Sequence, residues 1–405
     1  MQRFTYTAEN GTGEVYRGVA EVRDKSELFQ VIRREGGTLI SLQEDNVGNV
    51  WSFSYWNKLF STIPAQEKIV FARNLGAMLT AGLSLARALA VLERQSKNAK
   101  LKDVLSQVAS GVRRGEQLHV ILAKYPSMFS ELFVAMVRAG EESGTLPTAL
   151  KGIAEQMDRA DTLKKKVRGA LIYPSIIVVA IIGIGALMMT QVVPTLAQTF
   201  EELGTDLPAS TRAIIAVSDF LVDHTFLALV LVGALGLGLY AAMQTRIGRR
   251  GRDFLFVHMP VIGELVKEVN AARTARTMTS LLSAGVDMLT ALEITGEVVQ
   301  NTYFREVLAK ARADVQRGGQ LSKQFAAHED LYPALVGEMV SVGEETGALA
   351  EMLERLATFY EDEVSRKTKD MSTIIEPFLM LIIGAGVGFF AISMISPIYS
   401  LSESI

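Results

Sequence analysis

The sequence predicts a mostly α-helical integral membrane protein. Its parts are two duplicated cytoplasmic helical bundles of about six helices each, three transmembrane helices and a small N-terminal α+β module. Three observations predict this. First, the 405-residue chain repeats itself 203 residues apart: the stretch from Arg73 to Gly82 returns from Arg276 to Gly285. Ala139-Gly-Glu-Glu-Ser-Gly144 returns at the same offset as Val342-Gly-Glu-Glu-Thr-Gly347. A duplication of this length has to be read before any local motif. Second, three long runs carry no charge although 21% of the residues are charged. Third, apolar residues between those runs recur at helical spacing.

Residues 1–45 read as the α+β module. Arg3 to Ala8 and Glu14 to Val22 alternate in polarity, and Asn10-Gly-Thr-Gly13 between them is a turn signal. Asp24 suits the N-cap of a helix holding Leu28, Phe29, Val31 and Ile32, which Gly36-Gly37 would end, and residues 38–42 suit a third strand. Residues 46–64 form an aromatic linker with Trp51, Phe53, Tyr55, Trp56 and Phe60. Such a stretch can lie on a membrane surface or pack on a neighbour.

The first bundle spans 65–168 and the second 268–373. Leu146, Ala149, Leu150, Ile153, Met157 and Ala160 mark one apolar helix face, and Leu349, Leu353, Leu356, Tyr360 and Val364 mark its counterpart. Gly82, Gly285, Arg114-Gly115 and Arg317-Gly318 sit where helices should turn. Tyr125-Pro126 and Tyr332-Pro333 are 207 residues apart, which reads as a four-residue insertion offset by a later deletion.

Transmembrane helices are expected at 169–195, 224–245 and 374–399. The uncharged runs behind them hold 32, 22 and 26 residues, and about 20 cross the hydrocarbon core. Pro174 and Pro194 bracket the first apolar run and return as Pro377 and Pro397, marking where spans begin and end. Gly384 and Gly388 form a small-xxx-small pair, open to two readings: close span packing, or the general glycine enrichment of membrane helices.

Lys164, Lys165, Lys166 and Arg168 precede the first span, Arg246, Arg249, Arg250 and Arg252 follow the second, and Arg366, Lys367 and Lys369 precede the third. Basic residues stay on the cytoplasmic side. That makes 196–223 a periplasmic loop, 246–267 a cytoplasmic connector and 400–405 a periplasmic tail. The N-terminus, without the apolar core of a signal peptide, is expected in the cytoplasm. The spans lack the ionisable groups that transporters use.

The Gly-Glu-Glu turns, Gly140, Glu141, Glu142, Gly144 and Gly343, Glu344, Glu345, Gly347, are the candidate sites. Glycine there permits a helix junction, and the acids would favour the positive N-terminus of the long helix that follows. The functional alternative is a paired-carboxylate site for a divalent cation or for a partner's basic residues. Two adjacent glutamates fall far short of a full cation shell. Enzyme signatures are missing. The four histidines are scattered, no Gly-Lys dipeptide or Gly-x-Ser-x-Gly occurs, and there is no cysteine. A net charge of −3 gives no reason to expect nucleic acid. No catalytic residue, metal ligand or cofactor is assigned.

Two copies of a helical domain with Ala-Gly-Glu-x-Ser-Gly-x-Leu, each followed by lysines and a span opening on Tyr-Pro or Glu-Pro, resemble the PilC/GspF family. These are inner-membrane platform proteins of type IV pilus and type II secretion machines. The resemblance covers nearly the whole chain, including Phe4-x-Tyr6-x-Ala8. It implies a non-enzymatic multi-pass protein of the bacterial inner membrane. Implied partners are a cytoplasmic assembly or retraction ATPase, pilin or pseudopilin subunits, other inner-membrane assembly proteins, membrane lipid and further copies of the chain as a homo-oligomer. Thr346, where the first copy has Ser143, is a mild departure from the pattern.

Overall fold

The computed structural model describes residues 2–9, 15–22, 38–45, 63–202, 207–260 and 262–403. The chain divides into two compact units, Met1–Ile63 with Ser96–Asp103, and Pro64–Gln95 with Val104–Ile405. In the first, strands β1 (Gln2–Glu9), β2 (Val15–Val22) and β3 (Thr38–Asp45) form an antiparallel sheet in the order β2-β1-β3. A register shift between Thr7 and Ala8 interrupts the β1–β3 ladder. The expected helix after Asp24, the turn at 10–13 and nearly all of the aromatic linker lie outside the described residues.

The described secondary structure of the second unit is all helical, and one of the helices below, Ala99–Arg113, begins in the first unit. Helices α1 (Ala65–Thr80), α2 (Leu85–Gln95), α3 (Ala99–Arg113), α4 (Leu118–Ala123), α5 (Glu131–Glu142) and α6 (Leu146–Leu187) carry the first repeat. A π-helical turn, Met188–Val192, leads into α7 (Val193–Glu202) and α8 (Ala209–Asp223). Then come α9 (Thr225–Gln244) and α10 (Arg246–His258). The second repeat runs through α11 (Ile262–Ser283), α12 (Met288–Val298), α13 (Thr302–Val315), α14 (Leu321–Ala326), α15 (Ala334–Thr346) and α16 (Leu349–Glu403).

Each repeat closes around its own core. In the first, Phe71 on α1 meets Phe129 at a tilt and stacks on Phe133, at ring-centroid distances of 5.7 and 6.4 Å. In the second, Tyr332 meets Phe304 and Phe325 edge-on, at 5.0 and 4.7 Å. Tyr332 occupies the place of Phe129: the N–H of Phe129 donates to Tyr125 O, and that of Tyr332 to His328 O, one repeat further on. This corrects the expected insertion. The offset of 203 holds through the loop, and the two Tyr-Pro pairs are a coincidence of sequence. Thr274 stands where the first repeat has Phe71, and its hydroxyl lies 3.0 Å from the Tyr332 hydroxyl, so a buried polar pair replaces a ring contact.

Among the described residues three helices are long and apolar enough to cross a membrane: the run from Leu146 to Glu202, Thr225–Gln244 and Ile375–Ile395. Two of them are direct continuations of repeat helices. The 42 residues of α6 extend for about 63 Å, and the 55 of α16 for about 80 Å, at 1.5 Å per residue. The prolines therefore do not mark helix ends. Pro174 lies inside α6, and Pro377 and Pro397 lie inside α16. Pro194 follows the π-helical turn, whose wider hydrogen-bonded ring relieves the clash of a proline ring with the carbonyl four residues back.

Helices α6 and α16 run side by side and parallel, nearly in repeat register. Arg159 lies 3.6 Å from Glu361 at one end. At the other, Val193 and Phe200 share an apolar cluster with Ile214 and Met394. The Thr211 hydroxyl donates to the carbonyl of Ser393, and that of Ser218 to Met189 O at 2.5 Å. The described residues of 196–223, expected as a loop between two spans, are largely helical, and α8 clasps the far end of α16. A polar clasp of this kind is tied to the segment between two spans because buried hydroxyls there need backbone partners.

Candidate functional site at the repeated Gly-Glu-Glu turn

Gly140, Glu141 and Glu142 form the last turn of α5, and Gly343, Glu344 and Glu345 lie in the last turn of α15. Gly144 and Gly347 follow, each at φ 72°, in the left-handed region that glycine tolerates and that lets a helix stop abruptly. The next helix starts two residues later, so the two helices meet at close range. A Cβ on Gly140 would stand 2.5 Å from Ala149 Cβ, and one on Gly343 would stand 2.8 Å from Leu349 Cα. The first glycine of the motif is the point of contact between helices, and the second is the turn.

The first glutamate has a definite task in both copies. Glu141 accepts hydrogen bonds from the backbone N–H groups of Leu118 (2.5 Å) and His119 (3.0 Å), and His119 Nδ1 lies 2.7 Å from the same carboxylate. Glu344 accepts from the N–H groups of Leu321 (2.7 Å) and Ser322 (3.1 Å) and from the Ser322 hydroxyl (2.6 Å). Each carboxylate therefore caps the N-terminus of a short helix, α4 or α14, supplying acceptors to N–H groups that have none within that helix. The sequence places the acids against the long helix that follows; the structure turns them the other way. Side chains on a helix tilt toward its own N-terminus, so a last-turn glutamate points back along α5 or α15.

The second glutamate faces outward. Arg138 Nε donates to Glu142 at 2.8 Å, and this hydrogen bond holds the carboxyl below its usual range. The Ser341 hydroxyl donates to Glu345 at 3.3 Å. The Ser143 and Thr346 hydroxyls each donate to the carbonyl four residues back, both at 2.7 Å, which explains why either residue serves.

A second constellation, unmarked in the sequence reading, lies where the repeats meet. Arg276 donates from Nε and Nη2 to the two oxygens of Glu361, at 2.8 and 2.9 Å, and from Nη1 to Glu354. Burial lowers the affinity of Arg276 for its proton, but the hydrogen bonds to Glu361 and Glu354 outweigh it and the net shift is upward. Arg159 of the first repeat joins at Glu361, and the Ser280 hydroxyl donates to Gln156 Oε1 at 3.1 Å. Leu163 of α6 enters the second repeat's core. A cavity of about 250 Å³ beside these groups is lined by Gly152, Gln156, Arg159, Arg276, Ser280 and Glu354. The repeats also meet between α5 and α12. There a hydrogen bond shared with Glu297, then burial, then the charges of Glu297 and Glu293 raise the pKa of Glu131. Arg73 and Arg276 begin the first repeated stretch, which was the available signal. What made one of them central was burial, and no spacing announces it.

Asp253 is a further residue the sequence did not single out. It is buried on α10 and accepts from the N–H and hydroxyl of Thr302, at 3.0 and 2.7 Å, tying the connector to the start of α13. The prolines and the Gly384–Gly388 pair are not gathered at either constellation. Added methyl groups at Gly384 and Gly388 would meet nothing within 4 Å in the single chain. Among the described residues no group of three His, Cys, Asp or Glu side chains could hold a metal ion. The donors around Glu141 and Glu344 are backbone N–H groups and short side chains, which is the chemistry of a structural brace. The arrangement fixes where each bundle turns into its long helix.

The family model described as "Type II secretion system (T2SS), protein F" matches the chain twice, over residues 71–194 and 274–397. The two matches repeat the offset of 203 seen in the structure. The chain is 35% identical over 408 residues to a protein of Thermus thermophilus named "Type IV pilus assembly protein PilC", covering 99% of this chain and 98% of the relative. It is 30% identical to the protein of the same name in Myxococcus xanthus, over 100% of this chain and 96% of the relative. It is 31% identical to "Type II secretion system protein F" of Xanthomonas campestris pv. campestris, over the full length of both.

Proposed function

The chain belongs to the type II secretion system protein F family, and from that premise we propose that it is a non-enzymatic platform protein of type IV pilus assembly. In this reading it couples a cytoplasmic motor ATPase to insertion or extraction of pilin subunits. One observation carries it above the others: full-length similarity to relatives named for pilus assembly, in a chain whose two repeat helices continue unbroken into apolar spans. A continuous helix transmits a displacement of its bundle as a rigid body. The repeats face the cytoplasm, as does the N-terminal α+β module, because the basic clusters flank the spans on that side. Segment 196–223 and the C-terminal tail are periplasmic. The Gly-Glu-Glu turns hold each bundle rigidly on its long helix, so that a push on a bundle reaches the span. Other inner-membrane assembly proteins and lipid surround the spans.

Deletion of the gene tests this. Surface pili and twitching should vanish and return on complementation; normal piliation in the deletion strain overturns the reading. A second reading is favoured by the equally complete similarity to a relative named type II secretion system protein F. On that reading the deletion spares pili and blocks export of folded proteins.

A further inference from the structure

Within the chain, α5 and α6 of the first repeat pack on α11, α12 and α16 of the second. The same surfaces recur 203 residues away. The face of the second repeat equivalent to α5/α6 lies on α15/α16. The face of the first repeat equivalent to the one already covered lies on α1/α2. Both are open. Arg73, Ala77, Arg87 and Arg94 on α1/α2 are exposed, as are Glu338, Glu345 and Asp362 on α15/α16. So is Phe359, at 46%.

The residues that differ between the covered and the open faces change together on the two sides. In the covered contact Arg159 lies against Glu361, in the patch that also holds Glu354. Their repeat equivalents are Asp362, and Asp158 with Lys151. The direct pair thus becomes two acids, Asp362 and Asp158, and the positive charge opposite Asp362 comes from Arg73 and Lys151. Counted with these, and with Arg276 and Glu354 in the covered contact, the patch facing the single charge turns from net negative to net positive. Gln156 hydrogen-bonds Ser280 in the covered contact, and their equivalents are Phe359 and Ala77, so a polar pair has become an apolar pair. On the second half of the contact Ala135 and Glu142 border the same groove as Thr290. Their equivalents are Glu338 and Glu345 on one side and Arg87 on the other, with Arg94 standing for Glu297. Two glutamates seven residues apart thus answer two arginines seven residues apart. The match ends toward the membrane, where Leu163 has Arg366 as its equivalent.

We propose that the two open faces bind each other between copies of this chain, α15/α16 of one on α1/α2 of the next, in a head-to-tail contact that repeats the internal one. Opposed charge and matched polarity on both members select a second copy as the occupant. Because α6 and α16 are parallel and nearly in register, repeating the operation keeps every span pointing the same way. A head-to-tail contact closes into a ring when the rotation permits. The inference rests on the duplication and not on the pilus or secretion reading.

The chain has no cysteine, so single-cysteine variants test the contact in intact membranes. Differently tagged full-length chains carrying Ala77→Cys and Phe359→Cys are expressed together and oxidised. A disulfide needs Cα atoms within about 7 Å, so a dimer carrying both tags is expected, with no dimer from either variant alone. Gln156→Cys with Ser280→Cys in one chain is the internal control, losing both free thiols to the oxidant without forming a dimer. Asp362→Lys on the Phe359→Cys chain should lower the mixed dimer by about threefold or more, and Lys151→Glu on the other chain should restore it. The proposal is overturned by any of four results: no mixed dimer while the control closes, dimers from one variant alone, cross-linking of Phe359→Cys only to another protein, or cross-linking insensitive to the charge swap.

Discussion

The two repeats place the same ion pair in opposite surroundings. Arg73 lies 3.9 Å from Asp158 with both side chains about half exposed, at 55% and 51%. Arg276, its equivalent, is buried, bidentate to Glu361 and bonded to Glu354. The first pair is screened by water, whereas the second is sheltered by α6 of the other repeat, which adds Arg159. The difference teaches that a duplicated residue keeps its position but not its energetic role. The role depends on what the neighbouring repeat covers.

Arg276→Ala is the strongest way to break the comparison. It leaves Glu361 and Glu354 short of their main partner and should destabilise the protein by about 3 kcal/mol, as loss of one member of a buried pair does. Arg73→Ala should cost below about 1 kcal/mol. Denaturation of the solubilised full chain reads both, and equal losses would mean that burial of the second pair contributes nothing. Gly343→Ala comes next. Its methyl group would press on backbone of α16, a clash worth about 1–3 kcal/mol. Gly140→Ala should fall in the same range, because Ala149 Cβ gives no more easily than backbone.

Glu141→Ala and Glu344→Ala sharpen the comparison from the other side. Each strips the cap from a short helix, at about 1 kcal/mol, and the two losses should match. Hydrogen exchange localised to α4 or α14 would report it; a loss confined to one repeat would show that the brace is not shared. Tyr332→Phe should cost about 1 kcal/mol by stranding the buried Thr274 hydroxyl, whereas the first repeat already has phenylalanine at that place.

The smallest effect concerns pH. Glu131 has a raised pKa in the folded chain, so the fold favours its protonated form. That contribution is present at acid pH and fades as pH rises through the folded pKa. Glu131→Gln should therefore raise the melting temperature at neutral pH and change it little near pH 4, where the wild-type carboxyl is already protonated. An equal change at both values would remove the shared proton as its cause.

Much of the helical layout could be read beforehand. Gly82, Gly115 and Gly144, with their equivalents, all hold positive φ, as turn positions should. The apolar stripes on α6 and α16 were legible because helical spacing maps directly onto a face. The destination of Glu141 was not, since its partners lie 22 and 23 residues back in the chain and no local pattern links them. Nor was the alignment of Phe129 with Tyr332. A Tyr-Pro pair is a stronger signal by eye than a buried ring of changed type.

The sequence by itself determined the duplication, the apolar runs and the turns, because each is written in composition, period or backbone preference. Only the tertiary structure decided which arginine is buried, which helix each glutamate caps and which faces remain open. Those are set by contacts between segments far apart in the chain, where burial, and not residue type, fixes the strength of a charge.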